Sequence, residues 1–155
     1  MIVVVVSFAL LGLLSAALTW IDLRYGIIPD WLNLAIAGLG LLKAILIGGP
    51  LSGLEAACGG AAIGAIFWLL RRLYFAFRNF QGVGLGDVKL LAAAGTWVGI
   101  AGLPLLLLVA ASTALASAGI MQLSGSKLTR QSSLPFGPFL AIGLLVALAV
   151  QLQSP

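Results

Sequence analysis

Long apolar runs, separated by short polar or glycine- and proline-containing segments, make up most of this chain. Six runs can be marked, at about 2–21, 31–48, 51–70, 88–102, 104–122 and 135–152. A helix of about 20 apolar residues crosses the hydrocarbon core of a bilayer. The pattern therefore predicts an all-α integral membrane protein, a bundle of about six transmembrane helices that forms a single domain over residues 1–155.

The segments between the runs mark where the helices should end. Pro29-Asp30 precedes the second run, Gly48-Gly49-Pro50 follows it, and Gly102-Leu103-Pro104 divides an apolar stretch too long for one crossing. The first run has no basic residues before it, and further apolar runs follow. We therefore interpret it as a transmembrane helix and not as a cleaved signal peptide.

Composition supports the membrane assignment. Of the 155 residues, 62% are hydrophobic and 8% are charged, whereas soluble domains carry roughly 25% charged residues. The net charge of +4 comes from scattered basic residues that form no stripe, so we expect a lipid bilayer as the partner and no nucleic acid.

The basic residues also predict an orientation. Seven of the eight fall in or beside alternate loops of a six-span model, and Lys43 is the exception. The seven are Arg24, Arg71, Arg72, Arg78, Lys89, Lys127 and Arg130. The positive-inside rule makes their side cytoplasmic, so both termini should face outward across the cytoplasmic (inner) membrane.

Two of the chain's four acidic residues stand where apolar spans end. Asp22 closes the first span and Asp87 opens the fourth. In the predicted topology both lie at cytoplasmic helix ends, at similar depth, so helix packing can bring them together. Carboxylates at such positions are costly in a membrane and therefore indicate function.

A close pair of carboxyl groups is what an aspartic peptidase needs for catalysis. Such a pair does not easily ionise twice and shares one proton. The ionised member takes a proton from the attacking water, and the protonated member donates a hydrogen bond to the peptide carbonyl. The chain has no histidine and one cysteine, Cys58, so we expect neither a metal nor another cofactor.

The segment before Asp87 is rich in glycine. Gly82, Gly84 and Gly86 alternate with apolar residues and allow the backbone to turn tightly and approach a substrate strand. We therefore predict that Gly84 and Gly86 shape the site. The Gly-x-Gly-Asp pattern by itself is a weak signal, because glycines also occur in ordinary turns.

Three segments in order resemble the type IV prepilin peptidase family over nearly the whole chain. They are Asp22-Leu23-Arg24 with Ile28-Pro29-Asp30-Trp31-Leu32, then Gly84-Leu85-Gly86-Asp87-Val88-Lys89-Leu90, then the run from Leu134 to Gly143 that contains Pro-Phe-Gly-Pro. The resemblance implies that Asp22 and Asp87 are catalytic. It also implies that the substrates are prepilins or pseudopilins, whose leader peptides are removed at the cytoplasmic membrane face.

The chain departs from many members of that family in one respect. They carry an N-terminal insertion with paired, zinc-binding cysteines, which is associated with N-methylation of the new pilin terminus. The sequence begins at its first apolar run and has one cysteine. It therefore looks like the short, peptidase-only form, for which we expect an unmethylated product.

Two further charged residues flank the predicted site. Asp30 precedes the second span, where it can cap a helix or bind the substrate leader. Lys89, two residues after Asp87, can anchor the cytoplasmic end of its span or act electrostatically on Asp87. Near the outer ends of their spans, Lys43 and Glu55 are predicted to snorkel or to form an ion pair.

Two other functions remain open from the residues alone. Presenilin-like intramembrane proteases also use a Gly-x-Gly-Asp aspartate, but the Pro-Ala-Leu motif of that group is absent here. A small proton-coupled transporter or channel subunit would explain isolated intramembrane carboxylates. It would not explain the glycine-rich segment or the three segments together.

Helix ends also suggest unequal roles for the two aspartates. Asp87 begins a helix, where the positive end of the dipole favours a carboxylate, and Asp22 ends one, where the negative end opposes it. On that basis Asp87 is expected to be mainly the ionised base and Asp22 mainly the protonated partner.

Overall fold

A computed structural model describes residues 2–78, 84–123 and 135–153. These residues form four helices: α1 (Ile2–Tyr25), α2 (Asp30–Arg78), α3 (Leu85–Leu123) and α4 (Gly137–Gln153). The helices α1, α2 and α3 are long and apolar enough to cross a membrane, and α4 is a shorter apolar helix. The predicted all-α fold is confirmed over the described residues, but these helix bounds alone do not establish about six spans.

Helix α2 reverses direction at Gly49. The backbone there has φ 81° and ψ −176°, a combination that is essentially restricted to glycine. Pro50 follows, at a position where a helix needs no N–H donor. Ala37 and Gly60 line one cavity, although a straight helix would place them roughly 35 Å apart. The two halves of α2 therefore pack side by side as a hairpin.

Helix α3 reverses in the same way at Gly99, where φ is 63° and ψ is −173°. Leu91 and Leu107, from opposite sides of this glycine, line one cavity. The predicted boundary at Gly102–Pro104 is wrong by a few residues, because Pro104 lies inside the helix that follows. The reversal needs a positive φ, which glycine adopts readily and proline cannot.

The connections gather at two opposite ends of the bundle. At one end Gly48 and Gly99 line a common cavity, and the Gln151 amide donates a 2.9 Å hydrogen bond to the carbonyl oxygen of Val98. At the other end the residues after α1 and before α3 and α4 surround a different cavity. We call the second end, which holds Asp22 and Asp87, the aspartate end.

Small residues allow α2 and α3 to approach backbone to backbone. A Cβ placed on Gly95 would lie 2.9 Å from the Cα of Gly60, and a Cβ on Gly60 would lie 2.8 Å from the carbonyl oxygen of Ala92. The small residues in the second half of α2 therefore form a packing face against α3. Fully buried aliphatic side chains fill the interior: Leu11, Leu18, Leu32, Ile36, Ile63, Leu106, Leu140 and Leu144.

Two charged regions differ from the prediction. The Lys43 ammonium lies 5.4 Å from the ring centroid of Phe8 and 5.0 Å from that of Trp97. Among the described residues no ion pair joins it to Glu55. Of the two predicted alternatives, snorkelling or an ion pair, the pair is therefore not formed, and the ammonium makes cation–π contacts. The basic and aromatic stretch from Arg71 to Arg78, expected in a loop, continues α2.

Some predicted features lie outside the described residues. They are Gly82 of the glycine-rich segment, the loop residues Lys127 and Arg130, and Leu134 at the start of the third motif.

Candidate active site

Asp22 lies in the last turn of α1 and is almost completely buried, with 5% of its surface exposed. Its Oδ2 accepts a 2.9 Å hydrogen bond from the backbone N–H of Gly137, the first residue of α4. The first N–H groups of a helix have no partner within that helix. Asp22 therefore satisfies one of them and faces the positive end of the α4 dipole.

Glycine is the only residue type that fits at position 137 with this contact in place. A Cβ at that position would lie 2.6 Å from Oδ2 of Asp22 and 3.2 Å from Cδ2 of Leu18. Any side chain would displace the carboxyl group. The sequence analysis named the Pro-Phe-Gly-Pro run only as part of a family resemblance, whereas the structure places its glycine in contact with Asp22. The signal for this contact in the sequence was a glycine among bulky residues at the start of an apolar span.

Asp87 lies in the first turn of α3 and is partly buried. Its carboxylate accepts a hydrogen bond from the backbone N–H of Gly84, while the carbonyl oxygen of Gly84 accepts one from Val88 N–H at 3.3 Å. Gly84 immediately precedes α3. The hydrogen bond from its N–H to the Asp87 side chain, three residues later, is the one that the third helical residue makes in a capping box. It holds the Asp87 carboxylate against the backbone at the start of the helix.

The structure brings the two predicted carboxyl groups together. Asp22 and Asp87 line one cavity of about 1150 Å³ and are close enough to interact electrostatically. Each accepts a backbone N–H at the start of a helix, α4 for Asp22 and α3 for Asp87. The expectation of unequal roles compared the end of α1 with the start of α3 and did not include the start of α4, which Asp22 also faces. The assignment of the two roles stays a prediction.

The two glycines that were predicted to shape the site are part of the wall of this cavity. Gly84 and Gly86 both line it. A Cβ on Gly84 would lie 3.1 Å from Oδ2 of Asp87, and one on Gly86 would lie 3.1 Å from Cβ of Ile28. Both positions are tight for any larger residue, so the glycines keep space beside Asp87 and let the start of α3 approach the α1–α2 connection.

Asp30 and Lys89 form an ion pair across the same cavity. The Nζ of Lys89 lies 2.7 Å from each carboxylate oxygen of Asp30. The carbonyl oxygen of Pro29 accepts from Leu32 N–H at 3.2 Å, so Pro29 immediately precedes α2 in the N-cap position. The Asp30 carboxylate contacts Lys89 instead of capping the helix. Both side chains are well exposed, at 41% for Lys89 and 73% for Asp30.

Sequence reasoning missed one polar residue near the site. Asn33 lies one turn after Asp30 and is 5% exposed. Its amide nitrogen and oxygen are both buried and have no hydrogen-bond partner among the described residues. An asparagine inside an otherwise apolar span was the only signal in the sequence.

Metal binding finds no support in the described part of the chain. No three Asp, Glu or Cys side chains there lie close enough together to hold an ion.

Comparison with known proteins decides the family. Residues 8–119 match the profile described as the type IV leader peptidase family, and this match covers well over half of the chain. The chain belongs to the type IV leader peptidase family. The match includes both Asp22 and Asp87.

Curated relatives of this leader peptidase family member carry the name prepilin leader peptidase/N-methyltransferase. The protein from Burkholderia pseudomallei is 39% identical over 140 residues, which cover 88% of this chain and 44% of the relative. That from Legionella pneumophila is 34% identical over 145 residues, covering 91% and 49%. That from Aeromonas hydrophila is 39% identical over 145 residues, covering 90% and 47%.

The chain spans about half the length of the curated relatives it matches. No solved structure matches the chain.

Proposed function

We propose that this protein is a membrane aspartic endopeptidase that removes the leader peptide from type IV prepilins or related pilin-like precursors. The observation that carries the proposal is the meeting of Asp22 and Asp87 in one cavity at the ends of two apolar helices. Membership in the type IV leader peptidase family supports the same activity. The substrates are proposed from the names of the relatives.

The proposed reaction uses one shared proton. The ionised carboxylate takes a proton from water while the water oxygen forms a bond to the peptide carbonyl carbon. The protonated carboxyl group donates its hydrogen bond to the carbonyl oxygen and stabilises the charge that develops there. The tetrahedral intermediate then collapses, the C–N bond breaks, and a carboxyl group returns the proton to the departing amine.

Backbone groups prepare the pair for this reaction. The Gly137 N–H holds Asp22, and the Gly84 N–H holds Asp87. A carboxylate that accepts backbone N–H bonds is oriented before substrate arrives, and such preorganisation lowers the barrier. Asp30 and Lys89, which also line the cavity, are proposed to bind the polar part of the substrate. Gly84 and Gly86 are proposed to leave room for the substrate backbone.

The membrane arrangement is proposed to have six crossings. A straight helix of the length of α2, 49 residues, would measure roughly 74 Å, far more than the hydrocarbon core of about 30 Å. The reversals at Gly49 and Gly99 divide α2 and α3 into halves, and each half then crosses once. With α1 and α4 this gives six.

The basic residues orient this arrangement. Arg24 and Lys89 lie at the aspartate end with Asp22 and Asp87, so by the positive-inside rule we propose that the active site is at the cytoplasmic face of the inner membrane. Both termini then lie outside. The bilayer surrounds the many large apolar side chains that the helices expose, among them Trp20, Leu34 and Leu115.

The proposal is tested by incubating the purified protein, in detergent micelles, with a prepilin and measuring the N-terminus of the product by mass spectrometry. Loss of the leader at a single bond is expected. An intact prepilin after prolonged incubation, in a preparation whose circular dichroism shows folded helices, would contradict the proposal. Wild-type protein with an unrelated membrane protein as substrate is the control.

A further inference from the structure

A second cavity adjoins the catalytic one. It has a volume of about 500 Å³ and lies between the two halves of α2 and the first half of α3. Asp30 and Lys89 line both cavities, so the two adjoin at this ion pair. We call the second cavity the α2–α3 groove. Its other lining residues are mostly small or aliphatic: Leu34, Ala37, Leu41, Ala57, Gly60 and Ala61 among them.

Asn33 is the unusual residue of the α2–α3 groove. It lines the groove, is 5% exposed, and its amide nitrogen and oxygen are buried without a hydrogen-bond partner among the described residues. Unsatisfied buried polar atoms destabilise a fold, and an apolar residue of similar shape would avoid this penalty. The position therefore retains an amide at the expense of stability, which indicates a partner that supplies both hydrogen bonds.

A peptide group is the partner that matches a carboxamide. The Asn side chain offers one acceptor and two donors, and a main-chain peptide unit offers one donor and one acceptor. A substrate must be extended at its scissile bond for the carboxyl pair to reach it, so the residues just beyond lack intrahelical partners. Inside a membrane protein such unpaired backbone groups have to be satisfied by the protein.

Resting on the proposed function, we propose that the α2–α3 groove receives the first apolar residues that follow the scissile bond, and that Asn33 hydrogen-bonds a main-chain peptide group there. Asn33 lies one helical turn from Asp30, which borders the cavity that holds Asp22 and Asp87. The substrate therefore reaches Asn33 within a few residues of its cleavage point. The small residues Gly60 and Ala61 permit close approach of a second backbone.

The geometry assigns Asn33 a specificity role. A substrate that continues as an unbroken helix offers no free peptide group at this depth, whereas one that is extended after the scissile bond does. Both amide atoms are covered in the structure, so the side chain must turn toward the groove when substrate enters. Satisfying the two atoms favours that movement. Asn33 is thus a substrate-positioning residue and not one of the reacting groups.

The variant Asn33→Leu tests the proposal. The probe is a synthetic peptide with a basic leader, a cleavage site and about 20 following apolar residues, in detergent micelles. We expect KM to rise at least about ten-fold, with kcat within about two-fold, since two hydrogen bonds are lost. The midpoint of thermal unfolding should rise, because the unsatisfied amide is removed. Ser15→Ala, which alters a buried polar residue of α1, is the matched control and should change neither constant.

An unchanged KM for Asn33→Leu, whether the unfolding midpoint rises or falls, would overturn the inference. A second arm replaces single peptide bonds after the scissile bond by esters, which lack the N–H. One replacement should raise KM for the wild type and leave KM unchanged for Asn33→Leu. Equal effects on both proteins at every position would also overturn it. Wild-type cleavage in the same assay separates failure of this inference from failure of the proposed function.

Discussion

The backbone N–H of Gly137 donates a 2.9 Å hydrogen bond to Oδ2 of Asp22, across 115 positions of sequence. This contact joins the end of α1 to the beginning of α4 beside the Asp87 carboxylate. It gives Asp22 the backbone support that Asp87 receives from Gly84. The two carboxyl groups are therefore held by equivalent devices, each at the start of a helix.

Replacing Gly137 by alanine should impair catalysis more than folding. The added Cβ would stand 2.6 Å from Oδ2 of Asp22, so the carboxyl group must move away from the backbone donor. We expect kcat to fall by about ten-fold or more, because small displacements of a reacting group cost large factors in rate. The measurement is steady-state cleavage of a prepilin peptide.

The matched control for that variant is Gly119→Ala. A Cβ at Gly119 meets nothing within 4 Å, and Gly119 lies inside helix α3, where alanine is the better helix former. Its kcat should equal that of the wild type. A Gly137→Ala enzyme as active as Gly119→Ala would show that the contact does not position Asp22.

The glycines at the two reversals should be needed for stability. Gly49 and Gly99 have φ values of 81° and 63° with ψ near 180°, a region that other residues enter at a cost of about 1–3 kcal/mol. Gly49→Ala and Gly99→Ala should each lower the free energy of unfolding by that amount. Gly38→Ala, at a helical glycine with open space around it, should be neutral or stabilising. Unchanged stability in both reversal variants would contradict the hairpins.

Orientation in the membrane can be measured by thiol labelling. In a Cys58→Ala background, Arg24→Cys places a thiol at the aspartate end, and Ser52→Cys places one beside the reversal at Gly49. An impermeant reagent added to intact cells should label Ser52→Cys and spare Arg24→Cys until the membrane is opened. Labelling of Arg24→Cys from outside would reverse the proposed topology.

The ion pair between Asp30 and Lys89 should contribute little to stability. Both groups are well exposed, and exposed pairs are typically worth about 0.2–1 kcal/mol. A double-mutant cycle of Asp30→Asn and Lys89→Gln, followed by denaturant unfolding, measures the coupling. A coupling well above about 1 kcal/mol would mean that the pair holds the bundle together. In that case its proposed contribution to substrate binding would lose support.

The sequence predicts the parts of this fold that depend on local pattern. Apolar runs identify the helices, and Gly48-Gly49-Pro50 marks a reversal correctly because glycine and proline act through backbone geometry. Alternation of basic residues places Asp22 and Asp87 at one end, and the structure brings these two residues to one cavity. Their convergence is predictable because helix ends at the same depth can meet.

Other features depend on which helices become neighbours, and the sequence does not encode this locally. The hydrogen bond from Gly137 to Asp22 requires α4 to pack beside α1. The cation–π contacts of Lys43 require α1 and α3 to bring Phe8 and Trp97 together next to it. Asn33 appears as a single polar residue in an apolar run, and its lack of partners is visible only once its surroundings are known.

The central claim is that Asp22 and Asp87 act as one catalytic unit. Its most direct test is cleavage of a prepilin by Asp22→Asn, Asp87→Asn and the double variant, with circular dichroism to verify helical structure. Asparagine keeps the shape of the side chain but can neither accept the proton from water nor supply one. Each single variant should therefore lose about 10³-fold or more of kcat, and the double variant should lose no more than either, as for residues that act together. Substantial cleavage by either single variant, with its helices intact, would contradict the account.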